Sequence, residues 1–510
     1  MGRQRATVTI FMSLVIVMIM SLIFSLVEVV HLHCLSKKCD MLITAGAESI
    51  MAEYNRLLWK DYGILAVDMG YNEIGINTDK ACERSLPYMD GRESSDFLGI
   101  DTGVPSITGY RLLSDQNGDA LIREAVIQET LELPGQLISD LSNLCTIGEA
   151  ALKGSEDVDT LLSQGESAEA EADKIWADAQ EAAKKTAESN AAAEGKDPAA
   201  ASGFTPTPRP GSDVENPAPA VKEWKKGPLL GQVLPVETPI STEGIDDINR
   251  PSERSLDTGT CSEPIATGFT DKILYAAYLK NHFGCYTNQL GHSGAAYEWE
   301  YVICGEETDK DNLQEVVGIL LAFRVAENFA SMAASQAKQE EATALATLLV
   351  GWTANDAIIS GVSKAITAAW VYVESVLDVR TLLSGGRVSV LKTESEWTSN
   401  LTNIGTCMDV HTKAKESDYG LAYEEYLLLL TCLHFAGDMG MRSLDVLEDA
   451  LHRHTEYAYC YVDQLAVELY MEDKFFAEPI FISVVPAFLG SINSYEFSRS
   501  KNISYLTPLL

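Results

Sequence analysis

Positive charge is scarce in this 510-residue chain: 38 Lys and Arg stand against 74 Asp and Glu, a formal net charge of −36. So anionic a chain repels phosphate backbones, which argues against nucleic acid as a partner and favours cations or basic proteins. Cysteine is thinly spread. The ten cysteines run from Cys34 to Cys460 without the tight spacing of a disulfide scaffold, so buried free thiols or one or two isolated bridges are expected. No repeat of solenoid period is present, which excludes stacked-repeat architectures. A signal-peptidase site is missing too. After the first apolar run come Glu28, Val29, Val30, His31, Leu32 and His33, with no small-x-small pair, and His33 stands where lipidation of Cys34 would need Gly, Ala or Ser.

That apolar run, residues 10–27, is the strongest signal present. With Val8 and Val29–Val30 included, it crosses a hydrocarbon core of about 30 Å as a helix. The expectation is an uncleaved anchor: residues 1–7 cytosolic, 8–30 transmembrane, and the bulk of the chain outside the plasma membrane as a single-pass protein. The charge flanks decide orientation weakly, since Arg3 and Arg5 are nearly matched by Lys37 and Lys38. Beyond the span, Ile43, Ile50 and Leu57 recur every seven residues, with Ala47, Met51, Tyr54 and Leu58 beside them, which predicts a stalk helix over 31–63 capped by Gly63.

Composition then divides the chain. Residues 64–150 read as a mixed α/β part, with strand-like pieces at 64–67 and 107–113 and a helix at 120–133 stopped by Pro134 and Gly135. Residues 151–260 read as an Ala/Glu-rich acidic spacer of high helix propensity, a solvated helix or a partly ordered stretch in which Ile175 and Trp176 are the large hydrophobes, followed by a Pro-rich linker. Nine of the 17 prolines lie at 204–251, and GPLLGQVLP alone there is apolar enough to dock on a core. Residues 261–456 carry helical periodicity: a helix opening on a capping box of Asp311 and Gln314, then helices at 356–383, 421–435 and from 441, which predict an antiparallel bundle. In 457–510 the alternating Tyr457, Tyr459 and Tyr461, then QLAVELYM, FISVVPAF and SYEFSRSKNISYL, read as strands that return to pair with the N-terminal part. The expected class is mainly α with a minor antiparallel β part.

VTIFMSLVIVMIMSLIFSLVE, AESIMAEYNRLLWKDYGILAVD, GPLLGQVLP and EWEYVICGEETDKDNLQEVVGILLAFRVAENF give the chain a resemblance to TadE/TadG-like membrane proteins of Gram-positive bacteria. The resemblance covers the first seventy residues best and leaves out the acidic spacer. It implies a non-enzymatic, pseudopilin-like or assembly component of a tight-adherence pilus or secretion system, with the bilayer and pilin-like proteins as partners. The chain departs from better-known prepilins in one place: five residues beyond Gly2 stands Thr7, where those carry Glu.

The residues expected to carry lateral packing are Leu14, Met18 and Phe24 in the span and Ile43, Ile50 and Leu57 on the stalk. Glu28 either reaches interfacial water from the end of the span or pairs with a basic residue of a neighbouring subunit. Sites of chemistry are poorly supported. His31 and His33 point apart on one helix, which keeps His31, His33, Cys34 and Cys39 from one metal ion. Gly291-His292-Ser293-Gly294-Ala295 has the outline of a nucleophile elbow but lacks the preceding buried strand, so a turn is expected. Asp309 and Asp311 are accounted for by a helix N-terminus rather than a calcium loop, and His434, His452 and His454 by amphipathic helices. No cofactor, metal or catalytic residue is assigned. The second reading is a membrane-tethered surface enzyme or sensor with scattered groups in the bundle.

Overall fold

The computed structural model describes residues 2–507 except 91–97, 133–134, 155–156, 194–204, 246–248, 262, 266–267, 436 and 481–493. The chain opens with α1 (Gly2–Met51) and α2 (Arg56–Tyr62), then β1 (Val67–Asp68), α3 (Thr78–Met89), β2 (Ile100–Thr102) and β3 (Ser106–Leu112). Helices α4 (Asp119–Glu132), α5 (Gly135–Gly154), α6 (Val158–Ala193), α7 (Pro217–Lys225) and α8 (Leu229–Val233) follow. Then come α9 (Phe269–His282), α10 (Glu298–Cys304), α11 (Asp309–Ala334), α12 (Gln336–Val350), α13 (Asp356–Leu383), α14 (Ile404–Cys407), α15 (Tyr423–Leu433) and α16 (Met439–His452). Two long strands, β4 (Leu465–Ala477) and β5 (Tyr495–Ser504), close the fold. The protein is mainly helical with a small antiparallel sheet, as its periodicity predicts.

Strand β4 is the centre of the sheet. One flank pairs with β3 and β2, and the other with β1 and then β5, all antiparallel. The late strands thus return to the N-terminal part. They cover the second half of α1: Leu35, Cys39, Ile43, Ala47 and Ile50 are buried in one apolar cluster with Leu469, Met471 and Phe475 of β4. The FISVVPAF segment lies outside the described residues.

The bundle has its own core around α13, whose Asn355 cap accepts the Ala357 N–H at 3.0 Å. Gly385, at φ 85°, ends the turn that follows its last residue, a backbone conformation in which a Cβ is strained. Helices α2, α4, α5 and α6 contribute to the same core as α9–α11, α13, α15 and α16.

Several expectations need correction. The stalk helix does not reach Gly63: α1 ends at Met51, and Asn55 restarts the chain as the N-cap of α2, which Gly63 ends at φ 66°. Leu57 therefore sits on α2 and packs against the bundle core. The acidic segment is a helix, as its propensity predicts, solvated over its second half but packed over its first. Leu161, Leu162 and Ala172 of α6 are buried, and a Cβ on Gly165 would lie 2.1 Å from that of Ala365 in α13. Ala and Gly give little apolar signal, yet let two helix backbones approach closely. The Pro-rich linker is likewise partly folded: Asn216 caps α7 with Pro217 in its first turn, and Val221 is buried. The docking expected of GPLLGQVLP is present in Leu230, Val233 and Leu234.

At the start of α11, Thr308 rather than Asp311 is the cap, accepting the Asp311 N–H at 3.2 Å. Tyr457 and Tyr459 lie in a short 3-10 segment and a turn, Tyr461 lies in extended chain outside any strand, and of 64–67 only Val67 is in a strand.

Candidate functional site

The junction between the apolar half of α1 and the sheet gathers most of the residues singled out from the sequence. Leu14, Met18 and Phe24 are exposed, at 64%, 70% and 40%. Ile43 and Ile50, each 2% exposed, face the protein's own sheet. The stalk stripe is thus satisfied within the chain and cannot also be the surface for a neighbour. The outward side of this half of α1 carries His33, Cys34, Lys37, Met41 and Glu48.

Glu28 corrects both alternatives drawn for it. The carboxylate is buried under the C-terminal strand, where Oε1 accepts the Tyr495 hydroxyl at 2.7 Å and the Ile480 N–H at 3.3 Å, with His31 Nδ1 3.9 Å away. Two to three turns along the helix, Arg499 donates to Asp40 at 2.6 Å and to Ser36 Oγ at 2.7 Å. At the far end the Tyr505 hydroxyl donates to the Met51 carbonyl. Strand β5 is therefore fastened along α1 from Glu28 to Met51.

His31 and Cys39 turn inward while His33 and Cys34 turn out, so the four do not converge. Among the described residues no three His, Cys, Asp or Glu side chains are placed to hold a metal ion, and every cysteine is a free thiol. The Gly291–Ala295 segment is a turn. Ser293, 5% exposed, donates to the buried Glu298 at 2.6 Å, and Glu298 also accepts the Gly284 N–H at 2.8 Å and the Tyr62 hydroxyl at 3.2 Å. That hydroxyl fastens a loop to α10. Asp309 has a similar role, accepting Ser241 Oγ at 2.6 Å and the Ala296 N–H at 2.9 Å. His434 Nδ1 lies 3.3 Å from the Leu430 carbonyl, His452 meets the Tyr461 ring, and His454 is exposed.

Sequence reading missed a charged cluster in the bundle core. Arg324 Nη2 donates to Asp378 Oδ2 at 2.8 Å, and Lys392 Nζ bridges Asp378 and Glu374, the latter at 2.5 Å. Arg324 also meets Glu327 and takes Tyr426 Oη at 2.7 Å as an acceptor. Arg324, Glu327, Glu374 and Asp378 are fully buried. Burial pushes the Glu327 carboxyl up to about 8 against the pull of Arg324. Burial acts on Asp378 in the same direction, but Lys392 and Arg324 outweigh it and hold its carboxyl below the ordinary range. A protonated Glu327 leaves two cations facing two carboxylates, so the cluster is neutral. Because Ser389 and Val390 carbonyls accept from Arg324, and Ser399 donates to Glu374 at 2.6 Å, the cluster ties the loop after α13 to α11 and α13. One signal was available: Arg324 and Glu327 interrupt the apolar face that α11 would otherwise present.

Residues 209–476 match the model of a family of unknown function, DUF5702. No curated protein and no solved structure matches the chain.

Proposed function

We propose, for a chain that belongs to the DUF5702 family of unknown function, a non-enzymatic, membrane-anchored envelope component of the tight-adherence pilus or secretion type, with its ectodomain outside the cell. The observation that carries this reading is the division of α1. Its first half is apolar and exposed, its second half is sealed under an antiparallel sheet, and the helix is continuous between them. A second helix, Asp309–Ala334, is also long and apolar enough to span, but it is mostly buried inside the bundle. The anchor thus carries its sheet rigidly, as pilin-like subunits do, and Leu14, Met18 and Phe24 are left for lipid or for neighbouring anchors.

Cys34 provides the test, because it is the exposed thiol, one turn beyond the span. A membrane-impermeant maleimide should label it in intact, wall-stripped cells, and a short bismaleimide should join two copies through it in membranes. Labelling only after lysis would overturn the outward topology. Accessible Cys34 without cross-linked pairs would overturn lateral packing along α1.

A further inference from the structure

We propose that the outer edge of β5 is a docking edge for a second copy of this chain, paired in parallel and offset by one residue. The proposal rests on the membrane anchoring argued above, which keeps all copies upright in one plane.

The two flanks of the sheet are treated differently. On the β3 flank, Thr260 and Cys261 donate to the Tyr110 carbonyl at 2.9 and 3.3 Å, and Arg111 donates to the Glu263 carbonyl at 3.0 Å, so a loop covers the edge. Strand β5 is unbulged over ten residues and has no neighbour on its outer side among the described residues. A long regular edge of this kind is a template for another strand.

Which groups point outward follows from one bond. Tyr505 N–H donates to the Val467 carbonyl at 3.0 Å, continuing the register in which Ser504 faces Glu468. Antiparallel pairs alternate between bonded and non-bonded, so the odd residues 495–505 bond to β4. Glu496, Ser498, Ser500 and Asn502 therefore turn their N–H and C=O away from the sheet.

The anchor chooses the partner and its direction. Tyr495 meets Glu28 and Tyr505 meets Met51, so β5 covers about 34 Å at strand rise along about 35 Å of helix. The strand runs parallel to α1, away from the membrane, and every copy presents it at one height. Copies in one membrane can pair these edges only in parallel. Parallel bonding sets each outward-turned residue opposite one that is not, which fixes an offset of one residue, about 3.4 Å. That register places Ser500 beside Lys501, Ser498 beside Arg499 and Glu496 beside Phe497, with no like charges opposed. Anchors of such a pair lie on opposite faces of the joined sheet, so this contact is separate from any contact through Leu14 and Met18.

The test uses full-length chains in membranes, in a Cys34→Ser background. A Ser500→Cys chain and a differently tagged Lys501→Cys chain, made together and oxidised, should cross-link to one another and not to themselves, since in this register Ser500 faces the opposite side from its counterpart. Adding Ser500→Pro to the unmodified edge removes an outward N–H and leaves the β4 ladder bonded. It should weaken pairing about tenfold, the equivalent of one main-chain bond. Equal cross-linking of Ser500→Cys to itself, or none between the two variants while both resist carbonate extraction, would overturn the pairing. Loss of both variants into the carbonate supernatant would instead overturn the anchoring.

Discussion

Glu327→Gln tests the charge state of the buried cluster. The wild-type carboxyl has an ordinary value of about 4.5 and a folded value of about 8. Between those limits the folded protein holds a proton that the unfolded chain has released. Stability from this group is complete below about pH 4.5 and is lost as pH rises toward 8, at up to about 1.4 kcal/mol per unit. From pH 5.5 to 7.5 the loss reaches about 2.7 kcal/mol, or roughly 2.5 °C in melting midpoint for a chain of this size. Glutamine copies the shape and neutrality of the protonated acid and does not titrate. Thermal melts of the full chain in detergent micelles should therefore show the variant more stable than wild type by about 1.4 kcal/mol at pH 5.5 and by about 4 kcal/mol at pH 7.5. Glu300, raised to about 7 by burial, adds a slope of the same sign to both proteins and cancels from the comparison. Equal slopes in the two proteins would refute a protonated Glu327. So would a variant weakened at pH 5.5 by about 3 kcal/mol or more, the cost of breaking a charged buried pair.

Three further outcomes are expected. Ile50→Ala should lower ectodomain stability by about 2–5 kcal/mol in denaturant melts, whereas Leu14→Ala should leave it unchanged; equal effects would contradict the division of α1. Gly165→Ala should cost about 1–3 kcal/mol, because the new methyl meets Ala365, and α6 should become protease-sensitive. Tyr495→Phe removes a donor from the buried Glu28 carboxylate, at about 1.5–3 kcal/mol. Faster amide exchange should then appear at the membrane-proximal end of β5 and not at Tyr505.

What was legible in the sequence follows the strength of periodic signals. The apolar half of α1, α13 and the return of β4 and β5 announce themselves through long apolar runs, a clear stop at Gly385 and alternation. Helix α6 was legible as a helix, but its packing was not, because its contact with α13 is made by Gly165, Ala168 and other small residues, which carry shape but little hydrophobicity. The proline segment misled for a related reason: Pro217 opens a helix as readily as it extends a linker. At the junction, the stripe of Ile43 and Ile50 and the return of the late strands were both visible, but not which residues would meet, since they lie more than four hundred residues apart. Glu28 and Tyr495 meet across the same distance, as do the members of the Arg324 cluster across shorter ones. No local pattern encodes such pairings.

The unbroken passage of α1 from the apolar span to Met51 makes the junction a lever. With no hinge between the apolar half and the sheet, any inclination of that half is inherited by everything fastened to the other. The common tilt of a membrane helix, about 20°, would carry Met51 sideways by about 12 Å relative to Glu28. In the membrane-anchored arrangement proposed above, a bilayer that thins or thickens around the span would thereby swing the bundle across the surface, and bring it toward or away from whatever stands beside it.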